Sequence, residues 1–193
     1  MQEVKKILVA ILASGAGSNA HALVEHFDGV QEIDIVYIGS NKRTAGVLEI
    51  ASNAGIPFSS FSKSDLKAGI VLEDLKSMDV DYIFLCGFLL KIPSEFIESF
   101  NGRILNIHPS LLPKFGGKGM YGMNVHRAVL ESGDSSSGMT IHKVSEDYDE
   151  GDIVFQCSSD ISSCKTTEEI ANVVLALEHE YYPRIAEAFI KNS

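Results

Sequence analysis

Apolar runs of strand length alternate with helix-type patterns along the first hundred or so residues. Near-continuous apolar strands separated by helices are typical of a parallel sheet covered by helices on both faces. The predicted strands are residues 7–13, 33–40, 56–61, 82–87 and 103–107. The predicted helices are residues 19–27, 44–54, 65–77 and 93–100. We therefore expect an α/β protein with a mostly parallel, twisted sheet.

The pattern changes after Pro113, where a glycine-rich loop spans residues 115–122. A short helix around residues 125–130, strands at 139–144 and 153–157, and a long final helix are predicted to follow. Thr166 or Thr167 can cap that last helix, since a threonine hydroxyl can accept a hydrogen bond from a backbone N–H group of the first turn. No repeat or linker interrupts the pattern, so we expect one domain over residues 1–193.

Composition narrows the possible functions. The chain has 193 residues, 45% of them hydrophobic, and a formal net charge of −10, which argues against a nucleic-acid partner. No apolar run is long enough for a membrane span, and the N-terminus does not resemble a signal peptide. Three cysteines without a C-x-x-C pair predict free thiols and a cytoplasmic location, with Cys86 in the core.

Two glycines lie between the first predicted strand and the first predicted helix, in Ser14-Gly15-Ala16-Gly17-Ser18-Asn19. Ser18 or Asn19 can cap the helix, whose N-terminal N–H groups and positive dipole end favour an anion. In open α/β sheets ligands bind beyond the carboxyl ends of the strands. We therefore expect a phosphate site here. The alternative is a glycine-rich turn that only connects the two elements.

The same loop also fits the dinucleotide pattern G-x-G-x-x-A. That pattern expects a carboxylate at the end of the second strand, to bind the ribose hydroxyls. The second strand instead runs into Asn41-Lys42-Arg43. Only an NADP-type site, with Lys42 or Arg43 on the additional phosphate, is compatible with this sequence.

Asn106 and His108 lie two residues apart at the end of the fifth predicted strand, so their side chains leave the same face. A hydrogen-bonding amide beside a group that titrates near neutrality suits a reaction that forms an oxyanion and moves a proton. Pro109 and Pro113 end the strand and stiffen the loop that follows. The alternative interpretation is a partly buried, hydrogen-bonded structural histidine.

A dense acidic loop spans residues 145–152, between two predicted strands. It lacks the spacing of a calcium-binding EF-hand loop. A carboxylate from this loop near His108 would stabilise the imidazolium and raise the pKa of His108. The residue pattern alone does not say which carboxylate does so, and a solvated surface loop is the alternative.

Taken together, these segments resemble the glycinamide ribonucleotide transformylases (phosphoribosylglycinamide formyltransferases) of the formyltransferase family. The matching motifs are Ser14-Gly15-Ala16-Gly17-Ser18-Asn19, Ser40-Asn41-Lys42, Cys86-Gly87-Phe88, Asn106-Ile107-His108-Pro109-Ser110-Leu111-Leu112-Pro113, Asp149-Glu150-Gly151, and Glu178-His179 with Tyr182-Pro183. The resemblance runs from Lys6 to about Pro183 and implies a Rossmann-like formyltransferase fold.

The family transfers a formyl group from 10-formyltetrahydrofolate to the amine of a phosphoribosyl glycinamide in purine synthesis. The resemblance implies that Asn106 and His108 are catalytic, and that Asp149 tunes His108 and helps to hold a proton-shuttling water. It assigns the substrate phosphate to Gly15, Ala16, Gly17, Ser18 and Asn19, the glycinamide to Glu178, and the folate to Phe88, Leu89, Leu90, Lys91, Ile92 and Asn106. The N-terminal half would serve the nucleotide substrate and the C-terminal half the folate.

The expected partners are these two small molecules, without nucleic acid, membrane or metal, in a monomer or homodimer. Leu89-Leu90-Lys91 replaces the usual Met-Arg pair of the family, and only His126 of its two loop histidines is evident. The lengthened glycine-rich loop is either a mobile flap or a surface loop. Lys63 and Lys67 are candidates for the folate tail, with plain solvent exposure as the alternative.

Related enzymes provide rival interpretations. Methionyl-tRNA formyltransferases lack the glycine-serine loop and add an RNA-binding domain, which the acidic charge disfavours. Formyltetrahydrofolate deformylases carry a regulatory domain and typically a second histidine where this chain has Pro109. An NADP-dependent oxidoreductase and a non-catalytic nucleotide-binding module are the alternatives from other classes.

Overall fold

A computed structural model describes residues 6–193. The chain divides into two compact units, of which the first ends at Ile104 and the second spans Leu105–Ser193. The predicted single domain stays a prediction.

The first unit contains a four-stranded parallel sheet in the order β3-β2-β1-β4. Its strands are β1 (Ile7–Ala13), β2 (Ile33–Ser40), β3 (Phe58–Ser60) and β4 (Tyr82–Cys86). Its helices are α1 (Ser18–Phe27), α2 (Val47–Asn53), α3 (Lys63–Lys67), α4 (Ile70–Ser77) and α5 (Ser94–Phe100). The predicted alternation of strands and helices is confirmed throughout this unit.

Strands β1 and β4 lack charged residues and are largely buried because both of their faces are covered. All of β4 is buried, and so are the last five residues of β1. The edge strand β3 has only three residues, all of them exposed. Cys86 is buried at the end of β4, as its apolar neighbours predicted.

The helix predicted over residues 65–77 is wrong in one respect, because it is two helices. Gly69 adopts a left-handed φ of 77° and forms the N-cap of α4. Ser62 starts α3 with a capping box in which its side chain and that of Asp65 bond each other's backbone N–H groups. The chain therefore bends where periodicity alone indicated one continuous helix.

The second unit consists of three antiparallel strands and two helices. The strands pair in the order β5-β6-β7, with β5 (Ile104–His108) beginning one residue before the unit boundary. The other elements are β6 (Ser136–Lys143), β7 (Ile153–Asp160), α6 (Met123–Ser132) and α7 (Thr167–Lys191). Both β6 and β7 have eight residues and extend beyond the predicted segments, because they pair with each other along most of their length.

Helix α7 packs against β6, β7 and α6. Thr166 is its N-cap, and its side chain accepts a hydrogen bond from the Glu169 N–H, while the Glu169 carboxylate accepts one from the Thr166 N–H. Between the two threonines considered from the sequence, Thr166 is the cap. Among residues 6–193 no helix is long and apolar enough to cross a membrane.

Candidate active site

The register between β5 and β6 places two polar pairs side by side. Asn106 lies opposite His142, and His108 lies opposite Thr140. Directly opposed residues of antiparallel strands project to the same face, where their side chains contact each other. Asn106, His108 and His142, together with Asp149 from the loop after β6, form what we call the polar cluster.

His108 is anchored through one ring nitrogen. Its Nε2 lies 2.8 Å from the carbonyl oxygen of Phe115. A carbonyl only accepts hydrogen bonds, so Nε2 carries a proton and donates it. In the neutral ring Nδ1 is then the basic nitrogen, and it lies 3.5 Å from Oδ2 of Asp149.

Burial lowers the pKa of His108 below its ordinary value. The charge of Asp149 and the Phe115 carbonyl oppose this shift, and the nearby His142 adds to it. The raising effect that was predicted for a carboxylate is therefore present, and Asp149 exerts it, but burial has the larger effect. Only 4% of His108 is exposed, and desolvation of the imidazolium outweighs the attraction of the anion.

Asp149 lies close to His108, to His142 and to the backbone N–H of Gly117. Its Oδ2 accepts a hydrogen bond of 2.9 Å from the Gly117 N–H, and its Oδ1 lies 3.6 Å from Nε2 of His142. Burial raises the pKa of the Asp149 carboxyl, but the polar contacts of the carboxylate, among them the hydrogen bond from the Gly117 N–H, hold that pKa below its ordinary value. Asp149 is thus ionised at neutral pH and lies near both histidines.

The glycine-rich loop contributes its first three residues to the cluster. Phe115 adopts a left-handed φ of 57° and presents its carbonyl to His108, and Gly117 contacts Asp149. A Cβ on Gly116 would lie 2.5 Å from Cδ2 of Leu112 and 3.3 Å from Cβ of Asp149. The start of this loop is therefore packed rather than a free surface loop. A mobile flap formed by the loop of residues 115–122 stays a prediction.

Sequence reasoning missed His142. The residue is buried, and its Nε2 accepts a hydrogen bond of 3.0 Å from Nδ2 of Asn106. Its signal in the sequence was an imidazole at alternate spacing in the predicted strand at 139–144, but only the strand register shows which residue it faces. His126, the histidine that was identified in this region, is buried on α6, and burial and the nearby His108 lower its pKa.

Thr140 fixes the loop that follows β5. Its hydroxyl donates to the Ser110 carbonyl at 2.6 Å and accepts from the Leu112 N–H at 3.1 Å. Gln156 on β7 adds hydrogen bonds from its Nε2 to the Leu112 carbonyl and to the Thr140 hydroxyl. The Ser110 hydroxyl donates to the Lys114 carbonyl at 2.8 Å, which is a structural role rather than that of a nucleophile.

The glycine loop of the first unit differs from its prediction in one detail. Gly17, at a left-handed φ of 85°, is the N-cap of α1, and no side-chain hydrogen bond caps this helix. The prediction that Ser18 or Asn19 caps the helix is therefore wrong, because both are already helical. Gly15, Ala16 and Ser18 are exposed, and Gly17 and Asn19 are half-buried. A phosphate site at this loop stays a prediction.

Ser14 connects three loops of the first unit. Its hydroxyl donates to Oδ1 of Asn41 at 2.5 Å and accepts a hydrogen bond of 2.9 Å from the Leu89 N–H. Its own N–H donates to the Gly87 carbonyl. The loops after β1, β2 and β4 are thereby fixed at the carboxyl ends of parallel strands, where α/β proteins bind ligands.

The remaining candidate residues differ in exposure. In the segment 88–92, Phe88 and Ile92 are buried, while Leu89 and Lys91 are exposed and Leu90 is half-buried. Glu178 is buried in α7, which is uncommon for a carboxylate. The four basic candidates Lys42, Arg43, Lys63 and Lys67 are exposed. Over residues 6–193, no group of three or more histidine, cysteine or acidic residues is arranged to bind a metal ion.

Known proteins resemble this chain along nearly its whole length. A family model described as formyl transferase matches residues 5–186. The chloroplastic phosphoribosylglycinamide formyltransferase of Arabidopsis thaliana is 42% identical over 193 residues, covering 96% of this chain and 66% of that protein. The phosphoribosylglycinamide formyltransferase of Haemophilus influenzae is 33% identical over 187 residues, covering 94% of this chain and 86% of that protein.

A solved structure resembles the fold closely. The crystal structure of phosphoribosylglycinamide formyltransferase from Anaplasma phagocytophilum matches with a TM-score of 0.89 at 32% identity, covering 97% of this chain and 88% of that one. This similarity confirms the predicted α/β fold class. The chain spans just under two thirds of the length of the plant relatives that it matches.

Proposed function

The chain belongs to the formyl transferase family, and we propose that it transfers a formyl group from 10-formyltetrahydrofolate to the amine of phosphoribosyl glycinamide in purine biosynthesis. The observation that carries this proposal is the polar cluster of the second unit. The cluster contains an amide donor, a neutral imidazole and an ionised carboxylate, which are the groups that acyl transfer to an amine requires.

The proposed reaction begins with attack of the neutral amine on the formyl carbon. The new C–N bond forms as the carbonyl π electrons move to oxygen, giving an oxyanion and a positively charged nitrogen. Nδ1 of His108 takes a proton from that nitrogen, directly or through a water held by Asp149. The imidazolium and the Asn106 amide then stabilise the oxyanion. Collapse of the oxyanion breaks the bond to the folate nitrogen, which receives the proton.

The low pKa of His108 suits the first of these steps. A buried, neutral imidazole is ready to accept a proton at Nδ1, because Nε2 already donates to the Phe115 carbonyl. Asp149 then stabilises the imidazolium while it exists. His108 thus acts first as a base and then as an acid, and the tetrahedral intermediate needs no covalent nucleophile from the protein.

Substrate contacts follow from the family resemblance. We propose that the loop from Gly15 to Asn19 binds the substrate phosphate and that Glu178 binds the glycinamide portion. The segment 88–92 would contact the folate, with its backbone fixed by Ser14. We also propose a monomer or homodimer in the cytoplasm. The three free cysteines agree with a reducing compartment.

One assay distinguishes the transferase from the deformylase. Release of tetrahydrofolate from 10-formyltetrahydrofolate is measured with phosphoribosyl glycinamide present and with water as the only acceptor. We expect release to depend on the amine. Release at the same rate without the amine would identify a hydrolase. Titration with NADPH and with a folate analogue tests the oxidoreductase alternative, for which NADPH alone would bind.

Asp149→Asn is expected to lower kcat by about 100-fold and to move the acid limb of the pH–rate profile. The loss of the anion disfavours the imidazolium, so the pKa of His108 falls further and the acid limb shifts to lower pH. Steady-state rates between about pH 5 and 9 check this. Asp160→Asn, at an exposed carboxylate at the end of β7, is the control and leaves the profile unchanged. If the pH–rate profile of Asp149→Asn does not shift, Asp149 does not influence the pKa of His108.

Gly17→Val is expected to raise KM for the phosphorylated amine by about tenfold or more. Gly17 adopts a left-handed φ of 85°, and a Cβ there would lie 2.7 Å from Cβ of Val47 and 2.9 Å from its Cα. The loop must therefore move. Gly29→Val is the matched control, since a Cβ at that glycine meets no atom within 4 Å.

Loss of phosphate binding is separated from loss of folding by the choice of substrate. The amine without its phosphate is compared with the phosphorylated amine in both glycine variants, and melting temperatures are measured in parallel. We expect Gly17→Val to lose the preference for the phosphorylated amine. Full retention of that preference would show that the loop does not bind the phosphate.

A further inference from the structure

We propose that His142 is a positioning residue, which acts through Asn106 by fixing the orientation of its amide; this inference rests on the proposed function. His142 contacts Asn106 and Asp149, yet no step of the proposed reaction uses it. Its position opposite Asn106 in the β5–β6 register gives its imidazole one short, specific contact with that side chain. The effect of His142 on Asn106 depends on which of the two ring nitrogens carries the proton.

The backbone fixes the tautomer of His142. Its Nδ1 lies 2.9 Å from the carbonyl oxygen of Lys143. Since a carbonyl has no proton to give, Nδ1 carries the proton and donates it. In the neutral ring Nε2 therefore has a lone pair and acts as an acceptor.

Two groups face that lone pair at different distances. Nδ2 of Asn106 is a donor at 3.0 Å, and Oδ1 of Asp149 is an acceptor at 3.6 Å. The first distance is that of an ordinary hydrogen bond, and the second is beyond one. Nε2 accordingly accepts from Asn106, and this bond matches the tautomer that Lys143 imposes.

The consequence concerns the direction of the Asn106 amide. An amide has two chemically different ends, and only the NH₂ end can donate to an oxyanion. A lone pair on His142 attracts that end, so one N–H bonds His142 and the second N–H remains available for the formyl oxygen. Without His142 the oxygen end can occupy the same position, and the oxyanion then loses its donor.

A double-mutant cycle tests this coupling. His142→Leu removes the acceptor and replaces the imidazole with an apolar side chain of similar size. We expect kcat to fall by about 30-fold, with KM for both substrates changed by less than about twofold. In an Asn106→Ala background, the same substitution should lower kcat by less than about twofold, because the group it positions is gone. Equal losses in both backgrounds would overturn the proposal.

Two further variants separate this role from others. In an Asp149→Asn background we expect the full effect of His142→Leu, and a loss of the effect there alone would show that His142 acts through Asp149 instead. His142→Gln places an amide oxygen near the position of Nε2 and should restore most of the lost kcat. Failure of this rescue, with an unchanged melting temperature, would count against an acceptor role.

Nitrogen NMR provides a readout that does not need activity. In protein labelled with ¹⁵N-histidine, we expect Nδ1 of His142 to carry the proton and Nε2 to be unprotonated. Asn106→Ala should shift the Nε2 resonance. A protonated Nε2 in the wild-type protein would overturn the inference. If the wild-type protein has this tautomer but transfers no formyl group, the proposed function is overturned. The conclusion that His142 orients the Asn106 amide would still stand.

Discussion

His108→Ala is expected to lower kcat for formyl transfer by at least about 1,000-fold. The substitution removes the only group in the proposed mechanism that takes a proton from the attacking nitrogen and returns it to the folate nitrogen. It also removes a positive charge beside the oxyanion. Phosphoribosyl glycinamide should still bind with nearly unchanged affinity. Steady-state kinetics and calorimetric titration of the amine substrate measure these two quantities.

Rescue by added imidazole is a second test of the role of His108 as a proton carrier. His108 is buried, and its removal leaves a space bordered by the Phe115 carbonyl and Asp149. If the ring acts as a proton carrier, exogenous imidazole should restore part of the rate in His108→Ala, with a pH dependence set by the added base. Turnover near the wild-type value without imidazole would remove the catalytic assignment.

Asn106→Leu is expected to lower kcat by about 100- to 1,000-fold, the usual effect of removing one oxyanion donor. Leucine has the same γ-branched shape as asparagine, although it is larger, and it cannot donate a hydrogen bond. KM for both substrates should change little, because the lost interaction forms only as charge develops on the formyl oxygen.

The control for Asn106→Leu is Asn53→Leu, the same substitution at an exposed position in α2. It should leave kcat and KM unchanged. If Asn106→Leu raises KM and leaves kcat intact, Asn106 binds the ground state and does not stabilise the oxyanion. A melting temperature close to that of the wild-type protein is required for either interpretation.

Periodicity predicted much of the fold because each element of the first unit has a clear local signal. Strands β1 and β2 have the bounds that their apolar runs indicated. That Asn106 and His108 lie on the same face of β5 follows from the two-residue repeat of a strand alone. The break of the helix between Lys67 and Ile70 was not predicted, because a single glycine such as Gly69 does not by itself end an otherwise helical pattern.

The site was predicted less completely because its remaining features depend on contacts that are distant in sequence. His142 faces Asn106 only through the register of β6 on β5. The direction of the pKa shift of His108 depends on its burial, and the charge of a nearby loop does not determine burial. The contact of Phe115 with His108 requires a left-handed aromatic residue, which no local sequence rule favours.

The fate of the formyl carbon shows whether the protein transfers the formyl group to the amine and whether His108 is needed for this. Protein is incubated with 10-[¹³C]formyltetrahydrofolate and phosphoribosyl glycinamide, and carbon NMR follows the label. We predict that the label appears in the formamide of the nucleotide product, in amounts equal to the tetrahydrofolate released, and that His108→Ala suppresses this transfer. Label recovered as formate would show that the protein hydrolyses the formyl donor. Equal transfer by His108→Ala would show that His108 is not required for the reaction.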